Sequence, residues 1–407
     1  MRAARKVLVV GGGIGGLSAA IALVRREFDV EVIEAKERFD EPGVGLGQPA
    51  NSLRALRALG VLDEVLTAGY AFDALDVYDH KGEFVVGHTF RMGGDVPAFA
   101  ALPHATLHGI LLAAVRDAGV RVRMGTRIES IIEHAGMADA AFTDGSGSYD
   151  LIAGFDGIRS ATRRLLFGDA HGPTFTGFGA WRIVVPRPDD VTTMRFYQGV
   201  GNKTGVMPLT AETMYLFHVC PEQGNPRHDA ATMHQLLSER LTGYGGVIGD
   251  VARGIGPSSR LVYSPIETLF VPAPWYAGHV VIAGDAAHVV PPHFTEGAGM
   301  AMEDAVALAE SLADDTELSS GLGGFMSRRF ERNRFVREFS TAMLSDEQGI
   351  VTEEQLQAAK HSRFGDFDMR LRKAYRVMDE RVLDADPIIE GAQRIASLSG
   401  PKRMSNR

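Results

Sequence analysis

The sequence predicts an α/β protein in which a parallel-sheet domain is interrupted by a mainly antiparallel β-sheet domain and followed by C-terminal helices. The chain opens with an apolar run, a glycine-rich turn, a helical segment and a second apolar run, residues 6–35. Two later apolar runs, residues 149–157 and 279–287, each carry Gly-x-Asp or Gly-Asp near their C-terminal end. Between them, residues 174–220 carry aromatic and β-branched residues between Pro and Gly breaks, which favours antiparallel strands.

The first βαβ unit is the best-defined element. Residues 6–10 (KVLVV) have the pattern of a strand buried on both faces, and a helix and a second strand follow. The intervening turn supplies G-x-G-x-x-G, in which backbone approaches a pyrophosphate at the helix N-terminus. Glu34 ends the second strand, 21 residues after Gly13, where a carboxylate accepts ribose hydroxyls. The unit predicts dinucleotide binding; the alternative is a structural turn beside an exposed glutamate.

The remaining segments give the domain organisation. Helical patterns at residues 53–60 and 107–119 each end in glycine, and residues 75–90 form a strand pair around a Lys-Gly turn. We therefore expect residues 1–70, 101–171 and 277–345 to form the nucleotide-binding domain. Residues 71–100 and 172–276 should form the β-sheet domain, and residues 346–407 a helical segment with a disordered end.

Composition narrows the possible partners. A net charge of −9 without a basic stripe argues against nucleic-acid binding. The single cysteine, Cys220, excludes an intramolecular disulfide, and we expect a cytoplasmic protein without a metal site. Residues 7–24 carry no charge, but five glycines there favour a strand, turn and helix over a membrane span.

Three motifs resemble those of a known family. They are "GFDGIRSATR" (residues 154–163), "GDAAHVVPP" (residues 284–292) and "GVGLGQPANSLRALRALG" (residues 43–60). Over about residues 5–345 the chain resembles the class A flavoprotein monooxygenases, the p-hydroxybenzoate hydroxylase-like family. The resemblance implies a Rossmann-like FAD-binding domain of the GR2 type with an inserted substrate domain.

The same resemblance implies a set of FAD contacts. Asp285 would bind the ribityl chain, and backbone amides at the start of the following helix would face the flavin, where a helix N-terminus stabilises negative charge. Asp156 and Gly157 would also approach the nicotinamide donor, with Arg159 and Arg163 nearby. His104 stands where the family usually has an arginine. The implied cofactor-binding residues are Gly11, Gly13, Gly15, Gly16, Glu34, Arg38, His104, Asp156, Gly157, Asp285, Pro292, Gly297, Ala298 and Gly299.

The family relationship implies an activity. NADH or NADPH would reduce FAD, and O2 would be used through a flavin C4a-hydroperoxide to hydroxylate a small aromatic or heteroaromatic substrate, with or without decarboxylation. A reductase or dehydrogenase of the same fold, and a flavin-bearing binding protein without turnover, remain as alternatives. We expect a monomer or a homodimer.

Substrate and catalytic residues are the least determined by sequence. The inserted sheet and the turn after Pro292 should line the substrate cavity, although only about half of the strand residues can face one side. The candidates are Trp181, Arg182, Tyr197, Met207 and Phe294 for substrate, and His293, Tyr215 and His218 for catalysis. His293 directly follows Pro292, as in salicylate- and 6-hydroxynicotinate-hydroxylating family members, and an imidazole could hold a ring carboxylate or exchange a proton. Its alternative role is packing on the turn.

Overall fold

The structure is a computed structural model that describes residues 5–39, 44–90, 94–313 and 317–379. The predicted disordered end of the chain lies outside these ranges. The helices are α1 (Ile14–Val24), α2 (Ala50–Leu59), α3 (Leu62–Ala68), α4 (His104–Asp117), α5 (Ala161–Phe167), α6 (Met233–Arg240), α7 (Gly246–Gly254), α8 (Gly297–Ala313), α9 (Leu318–Gln348) and α10 (Glu353–Asp379). Short 3-10 turns span Gly168–Ala170, Gly284–Ala286 and Pro292–Phe294.

The strands fall into four sheets. They are β1 (Lys6–Val10), β2 (Asp29–Glu34), β3 (Gly45–Pro49), β4 (Tyr70–Phe72), β5 (Ala74–Asp79), β6 (Phe84–Thr89), β7 (Phe99–Pro103), β8 (Arg121–Met124), β9 (Ile128–His134), β10 (Met137–Phe142), β11 (Gly145–Tyr149), β12 (Leu151–Gly154), β13 (Thr174–Pro186), β14 (Met194–Gln198), β15 (Lys203–Pro208), β16 (Thr213–Pro221), β17 (Leu261–Phe270), β18 (Tyr276–Ala277), β19 (Val280–Ile282) and β20 (His288–Val289).

The first sheet has the order β18-β19-β12-β1-β2-β8 and is parallel except for β18. Its central strand β1 is buried on both faces because successive side chains alternate. Val7 and Val9 pack in the helical core with α1, whereas Leu8 and Val10 pack against the antiparallel sheet β9-β10-β11. The predicted buried parallel strand is therefore covered by helices on one face and by a second sheet on the other.

The large sheet has the order β20-β17-β13-β16-β15-β14-β5-β6, with only the β14–β5 pair parallel. Residues 75–90 thus contribute two strands to it, as the sequence predicts. One face packs with α6 and α7, and the other turns toward the first domain. Strand β7 belongs neither to the first sheet nor to the large sheet. It pairs with β3 and β4 in a small separate sheet.

The C-terminal helices pack across both domains. Tyr375 of α10 contacts the rings of Phe90, Phe99 and Phe294. No helix within the described ranges is both long enough and apolar enough to cross a membrane, and the glycine-rich segment near the N-terminus forms the 11-residue helix α1.

A network of buried charges joins α8 to α9. Arg329 contacts Asp304 at 2.7 Å and Glu303 at 2.6 Å, and Arg332 also binds Glu303. Burial raises the pKa of Glu303, but Arg332 and Arg329 outweigh it and hold the value at about 2. Asp304 also accepts hydrogen bonds from His288 Nε2 and the Gly284 N–H, so the network fixes the strand end that carries the Gly-Asp motif.

We expect Arg329→Met to lower the free energy of unfolding by about 3–5 kcal/mol, because it removes from the interior a guanidinium that is paired with two buried carboxylates, Glu303 and Asp304. The adjacent Arg328→Met is a matched control, since Arg328 pairs with Glu310 nearer the surface and its loss should cost about 1 kcal/mol or less. Urea unfolding followed by circular dichroism measures both. Equal effects of the two substitutions would contradict a special role for the buried network.

Candidate active site

One cavity of about 610 Å³ lies between the first domain and the inner face of the large sheet. Its walls come from the glycine turn after β1, from β3, from the inner face of the large sheet and from the turn that precedes α8. The elements predicted to bind a dinucleotide and those predicted to bind a substrate therefore border the same space.

The glycine turn is shaped by close backbone packing. A Cβ on Gly16 would lie 1.8 Å from the Gly11 carbonyl oxygen, and Gly11 itself has φ +108°. Gly13 has no atom within 4 Å of the position of a Cβ, and Gly13 and Gly15 both line the cavity. The N-terminus of α1 is thus open to a ligand, which is the geometry that a diphosphate requires.

Glu34 lies at the end of β2 beside this turn. Its carboxylate accepts hydrogen bonds from the Gly12 N–H at 2.7 Å and from the Lys36 N–H at 2.9 Å. Arg38 is exposed in the next turn and does not line the cavity. Sequence analysis did not identify His108, which is buried in α4 and contacts the Gly12 carbonyl through Nε2 at 2.8 Å.

The Asp-Gly motif divides into a structural and a cavity-facing part. Gly157 lines the cavity, whereas Asp156 does not. The Asp156 carboxylate instead accepts hydrogen bonds from Ser160 and Thr162 at the start of α5. Arg163 is buried and donates to the Ala286 and Ile158 carbonyls, tying this motif to the Gly-Asp motif. Arg159 instead pairs with Glu267 at the surface.

The turn before α8 leaves the helix start uncovered. Asp285, Pro292, Gly297 and Ala298 all line the cavity. Gly299 does not line it; a Cβ there would lie 2.0 Å from Ser52 Oγ, so this glycine allows α8 to pack on α2. His104, the residue in the usual arginine position, begins α4 and also lines the cavity.

Because successive side chains of a strand point to opposite faces, the candidate substrate and catalytic residues of the large sheet lie on two different faces. Arg182, Met207 and Tyr215 line the cavity. Their predicted companions lie elsewhere: Trp181, Tyr197 and His218 are on the opposite face, because each neighbours a cavity-facing residue along its strand. His218 contacts Thr204 Oγ1 through Nδ1 at 2.8 Å, and burial lowers its pKa to about 3.

Phe294 does not line the cavity either. Its ring packs against Phe339 of α9 and Tyr375 of α10, and it is fully buried. The turn therefore alternates, with Phe294 anchoring it to the C-terminal helices and His293 lining the cavity.

His293 belongs to a group of three charged or titratable side chains. Its Nε2 lies 3.1 Å from Glu347 Oε2, and Glu347 Oε1 pairs with the Lys203 ammonium. Lys203 and His293 line the cavity, with Glu347 behind them. Sequence analysis missed Lys203 and Glu347, which lie 144 residues apart in the chain and carry no motif.

Tyr215 and Arg182 form the polar part of the sheet wall. Burial raises the pKa of the Tyr215 phenol, although the nearby Arg182 opposes this shift. Arg182 donates to Ser264 Oγ and to the Ala180 carbonyl. At neutral pH Tyr215 therefore keeps its proton and can act as a hydrogen-bond donor.

Glu296 is buried directly before α8 and does not reach solvent. Its Oε2 accepts from Asn51 at 2.9 Å, and its Oε1 has no partner among the described residues. Burial raises the pKa of Glu296 to about 8, helped by Glu303 and opposed by Asn51. The carboxyl is thus neutral near pH 7, which leaves the positive end of α8 unneutralised.

Comparisons with known proteins agree with this geometry. A family model described as FAD binding domain matches residues 4–319. YetM of Bacillus subtilis (strain 168), assigned as an FAD-dependent monooxygenase, is 31% identical over 84% of this chain and 93% of its own. The 2-heptyl-3-hydroxy-4(1H)-quinolone synthase of Pseudomonas aeruginosa is 30% identical over 82% of this chain and 87% of its own.

A solved structure shows the same fold. Klebsiella pneumoniae HpxO complexed with FAD and uric acid superposes with a TM-score of 0.80 at 24% identity, covering 98% of this chain and 97% of the other.

We expect the stability of the protein to depend on the ionisation of Glu296. Its folded pKa of about 8 lies above the ordinary value of 4.5, so the folded state holds a proton that the unfolded state loses. The free energy of unfolding should therefore fall as pH rises from 4.5 to about 8. Glu296→Gln should remove this slope and stabilise the apoprotein by about 3–5 kcal/mol at the upper end of that window.

Chemical denaturation at several pH values measures the effect. Glu310→Gln, which removes a carboxylate farther along α8, is the control and should leave the slope in place. A parallel pH dependence in wild type and Glu296→Gln would contradict a neutral Glu296.

Proposed function

The chain belongs to the FAD binding domain family, that of the class A flavin monooxygenases, and we propose that it uses FAD, NADH or NADPH, and O2 to hydroxylate a small aromatic or heteroaromatic compound. The observation that carries the proposal is that the glycine turn, the glycine-rich start of α8 and the inner face of the large sheet border one cavity.

The residues present fit FAD. The open N-terminus of α1 suits the diphosphate, and Glu34, whose carboxylate lies beside this turn, would accept the ribose hydroxyls. Asp285 suits the ribityl chain, and Gly297 and Ala298 leave backbone amides of α8 free to face the flavin ring. Bound FAD would supply the electron transfer and the O2 chemistry, which no amino-acid side chain provides.

The chain's own side chains would control access and orientation. Met207, Phe217 and Val219 give the sheet wall an apolar surface that holds an aromatic ring and excludes water. Tyr215 would donate a hydrogen bond to the substrate. The uncovered positive end of α8 would favour negative charge on the cofactor side of the cavity.

Two relatives support a planar heteroaromatic substrate. The name of the Pseudomonas protein refers to a quinolone, and HpxO was solved with uric acid. For this chain we propose a hydroxylated aromatic or heteroaromatic ring of comparable size, oriented by His293 and Tyr215.

We expect Glu34→Arg to raise the Kd for FAD by roughly tenfold or more, since a cation would replace the acceptor of the ribose hydroxyls. Titrating apoprotein with FAD and following flavin fluorescence measures this change. Glu37→Arg is the matched control, because Glu37 is exposed in the same segment and the charge change is identical. Equal affinity in the Glu34 variant and wild type would contradict the ribose assignment.

We expect turnover under ¹⁸O2 to place one labelled oxygen atom in the product. A screen of phenols, hydroxypyridines and hydroxyquinolines for stimulated NAD(P)H oxidation, with product masses, identifies the substrate. Product without the label would contradict oxygen transfer and favour a reductase or dehydrogenase. Flavin reduction that no aromatic compound accelerates would favour a binding protein without turnover.

A further inference from the structure

The wall of the cavity contains a buried triad, defined as Lys203, Glu347 and His293. The three side chains come from β15, from the last turn of α9 and from the turn before α8. Their exposed fractions are 4%, 8% and 6%. Glu347 bridges the other two, through Oε1 to Lys203 and Oε2 to His293 Nε2.

The charges within the triad determine the state of the imidazole. Burial raises the pKa of Glu347, but the Lys203 charge and the hydrogen bond from His293 outweigh it and hold the value at about 2. Burial also lowers the pKa of His293. An ionised carboxylate can only accept a hydrogen bond, so Nε2 carries the proton of a neutral ring and Nδ1 carries a lone pair.

The lone pair on His293 Nδ1 is not used within the protein. Nδ1 has no hydrogen-bond partner among the described residues, although it is buried. The Lys203 charge is compensated by Glu347, so the triad offers little net attraction to a carboxylate. The other charged or titratable side chains lining the cavity are His104, Arg182, Tyr215 and Asp285.

Resting on the function proposed above, we propose that Glu347 and Lys203 hold His293 as a neutral base whose Nδ1 takes a proton from the substrate. The substrate is then a ring with an acidic O–H or ring N–H at this position, rather than a ring carboxylate. Of the two roles that the sequence suggests for His293, holding a ring carboxylate or exchanging a proton, the proposal takes the second.

The proton transfer balances within the cavity. The substrate O–H or N–H bond breaks, its electron pair stays on the ring system, and the proton moves to His293 Nδ1. The resulting imidazolium keeps its Nε2–H bond to Glu347, whose negative charge stabilises it. The substrate becomes an electron-rich anion paired with the imidazolium, and the proton is returned when product leaves.

Direct observation of the imidazole tests the first step. In FAD-loaded protein labelled with [¹⁵N]histidine, long-range ¹⁵N–¹H spectra identify the tautomer, and His293→Gln identifies the signal. The expected result is a neutral ring with its proton on Nε2 near pH 7. A doubly protonated ring, or a proton on Nδ1, would overturn the proposal whether or not the protein proves to be a monooxygenase.

A ligand series tests the second step. The probes are 4-nitrophenol, its methyl ether 4-nitroanisole, and 4-nitrobenzoate, followed by difference absorbance on FAD-loaded protein. At a pH below the probe's own pKa, wild type should bind 4-nitrophenol as the coloured phenolate. Lys203→Met combined with Glu347→Gln, which leaves no uncompensated ammonium in the wall, should lower the bound phenolate-to-phenol ratio by at least roughly tenfold, with 4-nitroanisole binding unchanged.

Two further variants separate proton transfer from packing. Glu222→Gln is the matched control, because Glu222 is a buried carboxylate paired with Arg240 on the opposite face of the sheet. If the double variant does not fold, His293→Gln removes the base itself and should still lose the phenolate band. Equal weakening of 4-nitrophenol and 4-nitroanisole, or tightest binding of 4-nitrobenzoate through His293, would overturn the proposal.

Discussion

The buried ion network between α8 and α9 is the interaction on which the site depends. Asp304 accepts the Gly284 N–H and contacts His288, and it is itself held by Arg329. The same helix, α8, begins at the cavity with Gly297 and Ala298. One set of charges therefore fixes both the strand end bearing Asp285 and the helix start opposite it. Removing ions from water is costly, so the network is held together by mutual pairing and gives a fixed geometry rather than a large gain in stability.

Sequence reasoning predicted the elements on the side of the cavity where we propose the cofactor, because that side is built from local patterns. A strand, a glycine turn and a helix follow one another in the chain, and Gly16 is required by the Gly11 carbonyl within that segment. Gly11 itself is also required by the Phe155 carbonyl oxygen, which would lie 2.5 Å from a Cβ there. The resemblance extended this to the Asp-Gly and Gly-Asp motifs. Even on this side, the motifs did not reveal the contact that each residue makes. The Asp156 carboxylate accepts the Thr162 N–H at the start of α5, and Arg163 donates to the Ala286 carbonyl of the Gly-Asp motif.

The sheet wall of the cavity, where we propose the substrate, was harder to predict because it is made by strands that pair over long distances in the chain. Alternation along a strand shows that Trp181 and Arg182 face opposite ways, but not which one faces the cavity. The register of β13 between β16 and β17 decides that, and it is not visible in sequence. Lys203 and Glu347 meet because the last turn of α9 reaches the start of β15. A lysine at a strand start and a glutamate in a polar helix give no signal of such a meeting.

Helix α9 contributes to both polar assemblies, with Arg329 and Arg332 in the ion network and Glu347 in the triad. Arg329 and Glu347 are 18 residues apart on this 31-residue helix. At 3.6 residues per turn that separation is about five full turns, or about 27 Å, so both side chains leave the same stripe of the helix. The length of this segment is consequently more constrained than its composition. One inserted residue between them would rotate Glu347 by about 100° relative to Arg329, and the helix could no longer satisfy both ends at once.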